Sequence, residues 1–238
     1  MNKYTKKWTL NRSRIHFAFR VVGKWFTAKS SLLTAGGVHY IDSSSGGGKT
    51  LLMNYILRNL LVKGGFFWTN IDEFNHPRVL TFDINRLFKD GEMKFRLNRT
   101  AEFTNSKGDP IVHYCKGVIY DELNGFFNRR NNRQSDYNSR FVPLVKNTVI
   151  HRHLGLPRIY FIGQSLMLQD TQIQQILKYR HYVQAKFRWR YYFWRQELRL
   201  VFAPYKLKID HFKKMGIDEQ GNAIFKKLKS EKIKIDPI

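Results

Sequence analysis

The sequence predicts an α/β fold: a mostly parallel central sheet covered by helices on both faces, three layers in all, with a C-terminal β-hairpin as an appendage. Three observations predict it. Short apolar runs alternate with helix-spaced runs across residues 37–180. A serine–glycine loop joins the first apolar run to the first helical one. Acidic or polar residues stand at the downstream ends of two later runs. Strands that alternate with helices pair in parallel and bury both faces of the sheet.

Taken in order, residues 1–36 are a basic lead-in carrying "FAFRVVGKWF". "GVHYID" (37–42) is a short strand, and "SSSGGG" is a loop by its glycine content. "KTLLMNYILRNLLVK" (49–63) sets Leu52, Met53, Ile56, Leu57, Leu60 and Leu61 at helical spacing, and Gly64-Gly65 stops it. "FFWTNI" (66–71) is a second strand, and "VLTFDINRLF" (79–88) is either a third strand or a short helix. Residues 89–110 are polar, with the turn signals of a loop or hairpin.

"HYCKGVIYDE" (113–122) is a β-type run that ends in two acids. Residues 126–140 read as a mobile basic loop, and 141–155 as a helix after Pro143 that Gly155 ends. "PRIYFIGQS" (157–165) is a buried strand with a polar end, and "TQIQQILKYR" (171–180) a short helix. Residues 182–205 alternate polar and aromatic at period two, which predicts a β-hairpin. The basic tail "KKLKSEKIKIDPI" is expected to fray. The organisation expected is a lead-in at 1–36, a core at 37–180, and a hairpin and tail at 181–238.

With 238 residues, 42% of them apolar and 15% aromatic, the chain can bury a full core and is not of the disordered class. Cys115 is its one cysteine, so an internal disulfide is excluded, which suits a reducing compartment. No apolar core follows the basic N-terminus, so no signal peptide is expected, and no window has the length and apolarity of a membrane span. Net charge is +24, carried mostly by the two ends. Such a field attracts polyanions: DNA, RNA or an anionic membrane face.

The phosphate-loop pattern is glycine, four residues, then Gly-Lys-Ser/Thr. Gly48, Lys49 and Thr50 match it, with Ser43 in the place of the first glycine. Successive N–H groups of such a loop turn around a phosphate, and the helix end adds its positive dipole. Ser43, Ser44, Ser45, Gly46, Gly47, Gly48, Lys49, Thr50 and Leu51 are therefore the candidate phosphate-binding residues. Lys49 reaches the terminal phosphates, and the Thr50 hydroxyl is a Mg²⁺ ligand. The competing reading is a flexible Ser/Gly linker, but a linker has no reason to sit between a buried strand and an amphipathic helix.

Hydrolysis also needs a carboxylate for the metal and a group to position water. "GVIYDE" puts Asp121 and Glu122 at the carboxyl end of a buried strand, the edge where open α/β sheets bind ligands. Asp121 is the candidate metal ligand and Glu122 the candidate catalytic carboxylate; the alternative is a surface pair capping the next helix. Gln164 ends the later strand and is the candidate sensor of the terminal phosphate, against the alternative of a buried amide satisfied by backbone. His151, Arg152 and His153 are read as a basic helix end rather than metal ligands. Arg140, Arg152, Arg158 and Arg180 are equal candidates for an arginine finger.

"SSSGGGKT", "TNI" (69–71), "VIYDELNGFF" and "HRHLGLPRIYFIGQS" occur in the order found in the zonula occludens toxin-like proteins of filamentous phages, which residues 37–175 resemble. The "HRHLG" to Gln164 block is the most specific part. Two positions depart from the pattern: Ser43, and Gly163 where a threonine-like residue is expected. The resemblance implies a RecA-like P-loop NTPase of the FtsK–HerA type, using ATP and Mg²⁺. It implies an oligomeric ring, a hexamer, driving single-stranded phage DNA through assembly and extrusion at the inner face of the host membrane. Many relatives carry a transmembrane helix after the ATPase domain. Here the expectation is a soluble relative, or an anchor on a membrane-bound partner or on chain beyond this sequence.

"KFRWRYYFWRQELRLVF" (186–202) mixes arginine with aromatic residues, a combination that suits stacking on single-stranded DNA. A packed hairpin with a cationic outer face and a surface for anionic lipid are the alternatives. The rival functions are an ATP-gated membrane-assembly scaffold and a plain nucleic-acid-binding protein.

Overall fold

The computed structural model describes residues 31–62, 64–71, 74, 76–83, 97–105, 107–122, 142, 144–146, 148–153, 155–192 and 197–234. The lead-in at 1–30, the loop at 126–140 with Arg140, and the side chains of the aromatic segment at 187–202 lie outside that description.

The described strands are β1 (Gly37–Asp42), β2 (Phe66–Thr69), β3 (Val79–Thr81), β4 (Thr100–Thr104), β5 (Pro110–Tyr120), β6 (Arg158–Gly163), β7 (Tyr179–Tyr192), β8 (Glu197–Ile217) and β9 (Ala223–Lys234). They lie in the order β3-β2-β5-β6-β1-β7-β8-β9, with β4 paired to β5. From β3 to β7 every pairing is parallel, and β8 and β9 continue antiparallel. The helices described over their full length are α1 (Lys49–Leu61) and α2 (Thr171–Ile176), with helical turns at Ser31–Thr34 and Leu166–Leu168 and further helical residues at 142, 144–146 and 148–149.

Alternation along the strands divides the core between the two faces. Val38, Tyr40, Phe66, Val118, Tyr120, Ile159 and Phe161 pack on one side with Leu144 and Ile173. Ile41, Phe67, Ile119, Tyr160 and Ile162 pack on the other with Leu52, Met53, Ile56, Leu57, Leu60 and Leu61 of α1. Each such side chain stabilises the fold by roughly 1.5–3 kcal/mol on burial. The result is three layers, as expected of strands apolar on both faces.

The open alternatives at 79–88 and 89–110 are resolved, and other elements depart from expectation. Of the run 79–88, Val79–Thr81 is a strand, β3, parallel to β2, and 84–88 lie outside the described residues. The polar stretch before residue 110 contributes β4, turned into β5 by Asn105, whose Oδ1 accepts from the N–H groups of Lys107 and Asp109. β5 accordingly starts at Pro110, its first half pairing with β4. α2 stops at Ile176, because the Lys178 N–H donates to Val38 O and draws the chain in beside β1. The tail is not frayed as far as Lys234: it forms β9, antiparallel to β8, and 235–238 lie outside the described residues. Asp218 makes that turn by accepting from Gln220 N and Asn222 N, and Ile233 is buried opposite Leu207.

A row of buried histidines crosses the junction between the parallel and antiparallel strands. His39 Nε2 meets Ala35 O at 3.1 Å, His39 Nδ1 meets His181 Nε2 at 2.9 Å, His181 Nδ1 meets His211 Nδ1 at 2.8 Å, and His211 Nε2 meets Glu231 Oε2 at 3.2 Å. Ala35 O only accepts, so His39 donates to it from Nε2, His181 donates to His39 from Nε2, and His211 donates to His181 from Nδ1.

Burial holds His39 down to about 3 and His181 well below the ordinary value of 6.5, so both rings stay neutral. In the unfolded chain both take up protons as pH falls through 6.5. Their contribution is thus fully present above that value and lost toward acid. Urea unfolding from about pH 7 to pH 5 should show stability falling by up to about 1.4 kcal/mol per pH unit for each ring. A profile that stays level would contradict the neutral assignment.

Candidate functional site

The parallel register decides which residues meet. Asp42 lies opposite Gly163, Tyr40 opposite Phe161, and Phe161 opposite Tyr120. The loop after β1, Gln164 after β6, and Asp121 with Glu122 after β5 therefore leave one edge of the sheet at one level. β6 separates β1 from β5, so loop and acids stand two strand spacings apart, about 10 Å. That gap is suited to a phosphate with its metal ion, not to a direct contact.

The loop itself is tightly wound. Gly46 and Gly48 have φ of 68° and 92°, the left-handed region that glycine tolerates. Gly47 N donates to Ser44 O at 3.0 Å, closing a turn. Ser43 is buried, and its Oγ donates to Ser44 O at 2.9 Å. A Cβ on Gly47 would lie 2.6 Å from Ser43 Oγ, so the serine fills space on the inner side of the loop that a side chain at 47 would need. The departure from the usual pattern is thus absorbed within the loop. A Cβ on Gly48 would lie 2.6 Å from Leu207 on β8, so the loop also rests on the C-terminal strands.

No side chain caps α1: its N-cap is Gly48. The first-turn N–H groups of Lys49, Thr50 and Leu51 have no partner within the helix and face outward along its axis. Lys49 Nζ turns back to Ser43 O, Ser43 Oγ and Ser44 O, each at 3.4 Å. A cation folded back over a glycine-rich loop, before an uncapped helix end, fits the oxygens of a phosphate chain. Thr50 is exposed beside it, and Leu51 is half-buried against the core.

At the second strand end Asp121 is half-buried and Glu122 exposed. Asn70, at the end of β2, grips Asp121 from both sides: its Nδ2 donates to Asp121 O at 3.1 Å, and its Oδ1 accepts from Asp121 N at 2.7 Å. This pairing extends the sheet by one rung beyond Thr69. Glu122 has φ of 53°, the one non-glycine residue in the left-handed region among those described. Such a conformation costs of order 1–3 kcal/mol and concentrates at functional sites. Gln164 is exposed at its strand end, which excludes the alternative of a buried amide.

Two residues of the site escaped the sequence reading. Asp42, the last residue of β1, is buried and holds Arg180 of β7, with Nη2–Oδ2 at 2.7 Å and Nε–Oδ2 at 3.2 Å. Burial pushes the Asp42 carboxyl up, and the hydrogen bonds and charge of Arg180 oppose that. Arg180 is thereby committed within its own chain. Arg158 donates to Lys116 O at the far end of β6, and Arg152 is exposed. Asn70 is the other: it stands in the "TNI" motif of the resemblance but was given no role. His151 of the "HRH" segment is buried, with Nδ1 2.6 Å from Thr148 O.

A phosphate loop between strand and helix, with acids and an amide on neighbouring strands of one parallel edge, defines a RecA-like P-loop NTPase fold. The chain is similar to a 37.2 kDa protein of Acholeplasma phage L2 described as uncharacterized, 26% identical over 187 residues, or 74% of this chain. It spans about half of that relative, 56% of its length. Among solved structures it is similar to the N-terminal domain of zonular occludens toxin from Neisseria meningitidis, at TM-score 0.45 and 14% identity over 83% of this chain and 96% of that one. It is also similar to the genome packaging NTPase of Sulfolobus turreted icosahedral virus 2, at TM-score 0.41 and 12% identity over 82% of this chain and 96% of that one. No family model matches the chain. The fold class rests on its own strand order and loop geometry.

Two substitutions test this construction. Arg180→Ala leaves Asp42 buried without its cation and should cost about 3–5 kcal/mol in chemical denaturation; a loss under about 1 kcal/mol would show the pair to be incidental. Gly47→Ala forces a methyl group into Ser43 and should cost about 1–3 kcal/mol. Placing Gly47→Ala in a Ser43→Gly chain should recover part of that loss, and the double-mutant coupling reads it directly.

Proposed function

We propose that this chain is a Mg²⁺-dependent ATPase, working as a ring-shaped motor, a hexamer, that moves phage DNA in single-stranded form during assembly or extrusion. The observation that carries the reading is the row at the sheet edge: the loop at 43–50, Gln164, and Asp121 with Glu122 leave adjacent parallel strands at one level. The phage relative, the net charge of +24 and the sequence resemblance support the DNA partner and the setting. Among the described residues no helix is long and apolar enough to cross a membrane. Work at the inner face of the host membrane would therefore draw on a membrane-anchored partner, on the anionic surface, or on chain beyond this sequence.

The residues divide the task. The amides of Gly46 and of Gly48 to Leu51 and the Lys49 ammonium bind the phosphate chain. The Thr50 hydroxyl and Asp121 would hold Mg²⁺, which when bound neutralises charge on the phosphate oxygens. Asn70 fixes the Asp121 backbone so that its carboxylate starts from a set position. Glu122, held in its left-handed conformation, orients water and accepts its proton. Gln164 donates its amide to the terminal phosphate and reports its loss through β6 to β1.

ATP turnover with and without single-stranded DNA, in wild type, Lys49→Ala and Glu122→Gln, tests the proposal. Lys49→Ala should lose ATP binding. Glu122→Gln should bind ATP normally while turnover falls by about 10²-fold or more. Full turnover in Glu122→Gln would remove that residue from catalysis, and turnover indifferent to DNA would favour a nucleotide-gated scaffold over a motor.

A further inference from the structure

The loop at 43–51 accounts for the phosphates of a nucleotide but not for its base. β1 ends at Asp42, opposite Tyr182, whereas β7 runs on to Tyr192. Beyond Tyr182 the edge of β7 that faced β1 has no strand beside it among the described residues, and the loop at 43–50 lies next to it. A cleft of about 480 Å³ lies there, with Ser44 to Gly47 on one side and Tyr182, Gln184, Ala185 and Lys186 on the other. Tyr182, Gln184 and Lys186 share one face of the strand, alternating with Val183 and Ala185; Ala185, beside the loop at Gly48, borders both the cleft and the core. Tyr182 is half-buried, Gln184 and Lys186 exposed.

The order of strands gives the cleft a direction. The acids of β5 stand two strands from the loop on one side, and β7 stands next to it on the other. A phosphate chain whose terminal end faces Asp121 and Glu122 must send its nucleoside the opposite way, over β7. From β5 to β7 is three strand spacings, about 14 Å, a span that an extended nucleoside triphosphate bridges.

We infer that Tyr182 and Gln184 form the base subsite of the nucleotide and select adenine. The inference rests on the nucleotide reading above and adds the part of the site that tells one base from another. Tyr182 offers a ring for stacking, an interaction every base can make. Gln184 offers a donor and an acceptor on one planar amide, the pair that matches the N6 and N7 positions of adenine. Lys186 stands at the mouth, where its ammonium adds to the charge that draws the phosphates in.

Calorimetric titration of the full chain with ATP, GTP and inorganic tripolyphosphate tests the subsite. Tyr182→Ala should weaken ATP about tenfold while tripolyphosphate binds as in wild type, and Tyr182→Phe should keep wild-type affinity for both. Gln184→Ala should shrink the preference for ATP over GTP and leave tripolyphosphate unchanged. Retained tripolyphosphate binding also certifies that each variant is folded. Unchanged ATP affinity in Tyr182→Ala, or an equal loss of ATP and tripolyphosphate, overturns the subsite while the phosphate loop stands. Wild-type binding of tripolyphosphate no weaker than of ATP overturns it as well. If wild type binds none of the three, the nucleotide reading itself fails, and the subsite with it.

Discussion

The parallel register of β1, β6 and β5 is the constraint on which the rest depends. Side chains on a strand alternate between faces, so a slip of one residue would carry every apolar side chain to the wrong layer. Ile41 with Ile162, and Tyr40 with Phe161 and Tyr120, fix the register from inside the core. The polar residues that follow have no choice of level. Hydrophobic packing on two faces thus sets the place of groups that take no part in it, and Asn70 adds one rung where apolar packing stops.

A second dependence runs from the C-terminal strands to the loop. Glycines give residues 46–48 their freedom but not their shape. The shape comes from contacts on either side: Ser43 inside the turn, and Leu207 and Ala185 beneath Gly48. β7 is held against β1 by four consecutive pairs and by Arg180 reaching Asp42. The antiparallel extension is therefore the floor of the phosphate loop and not only an appendage to the core.

That extension differs in kind from the parallel sheet. Val183, Ala185, Leu207, Ile209 and Ile233 face the core, while Lys186, Lys206, Lys208 and Lys232 gather on the opposite face. Lys186 lies directly across from Lys206, and Lys208 from Lys232. Like charges opposite one another on a sheet are each unfavourable by a few tenths of a kcal/mol. Among the described residues, part of the repulsion that accompanies a net charge of +24 thus falls here, beside the cleft under the loop at 43–50.

The sequence by itself determined the parallel α/β class, the strand–loop–helix at 37–61, and the polar ends at Asp121, Glu122 and Gln164. Each is a local signal: a run of apolar residues, a glycine cluster, a charge after a strand. Period-two alternation likewise announced β7 and β8. Only the tertiary structure decided that Arg180 serves Asp42, that Asn70 clamps Asp121, that three histidines share a row of protons, and that the tail is β9. Those pairings join residues far apart in the chain, such as Asp42 with Arg180 and His39 with His181. A sequence displays the chemistry of each partner, but which two meet is set by strand order and register, and these emerge only when the whole sheet is packed.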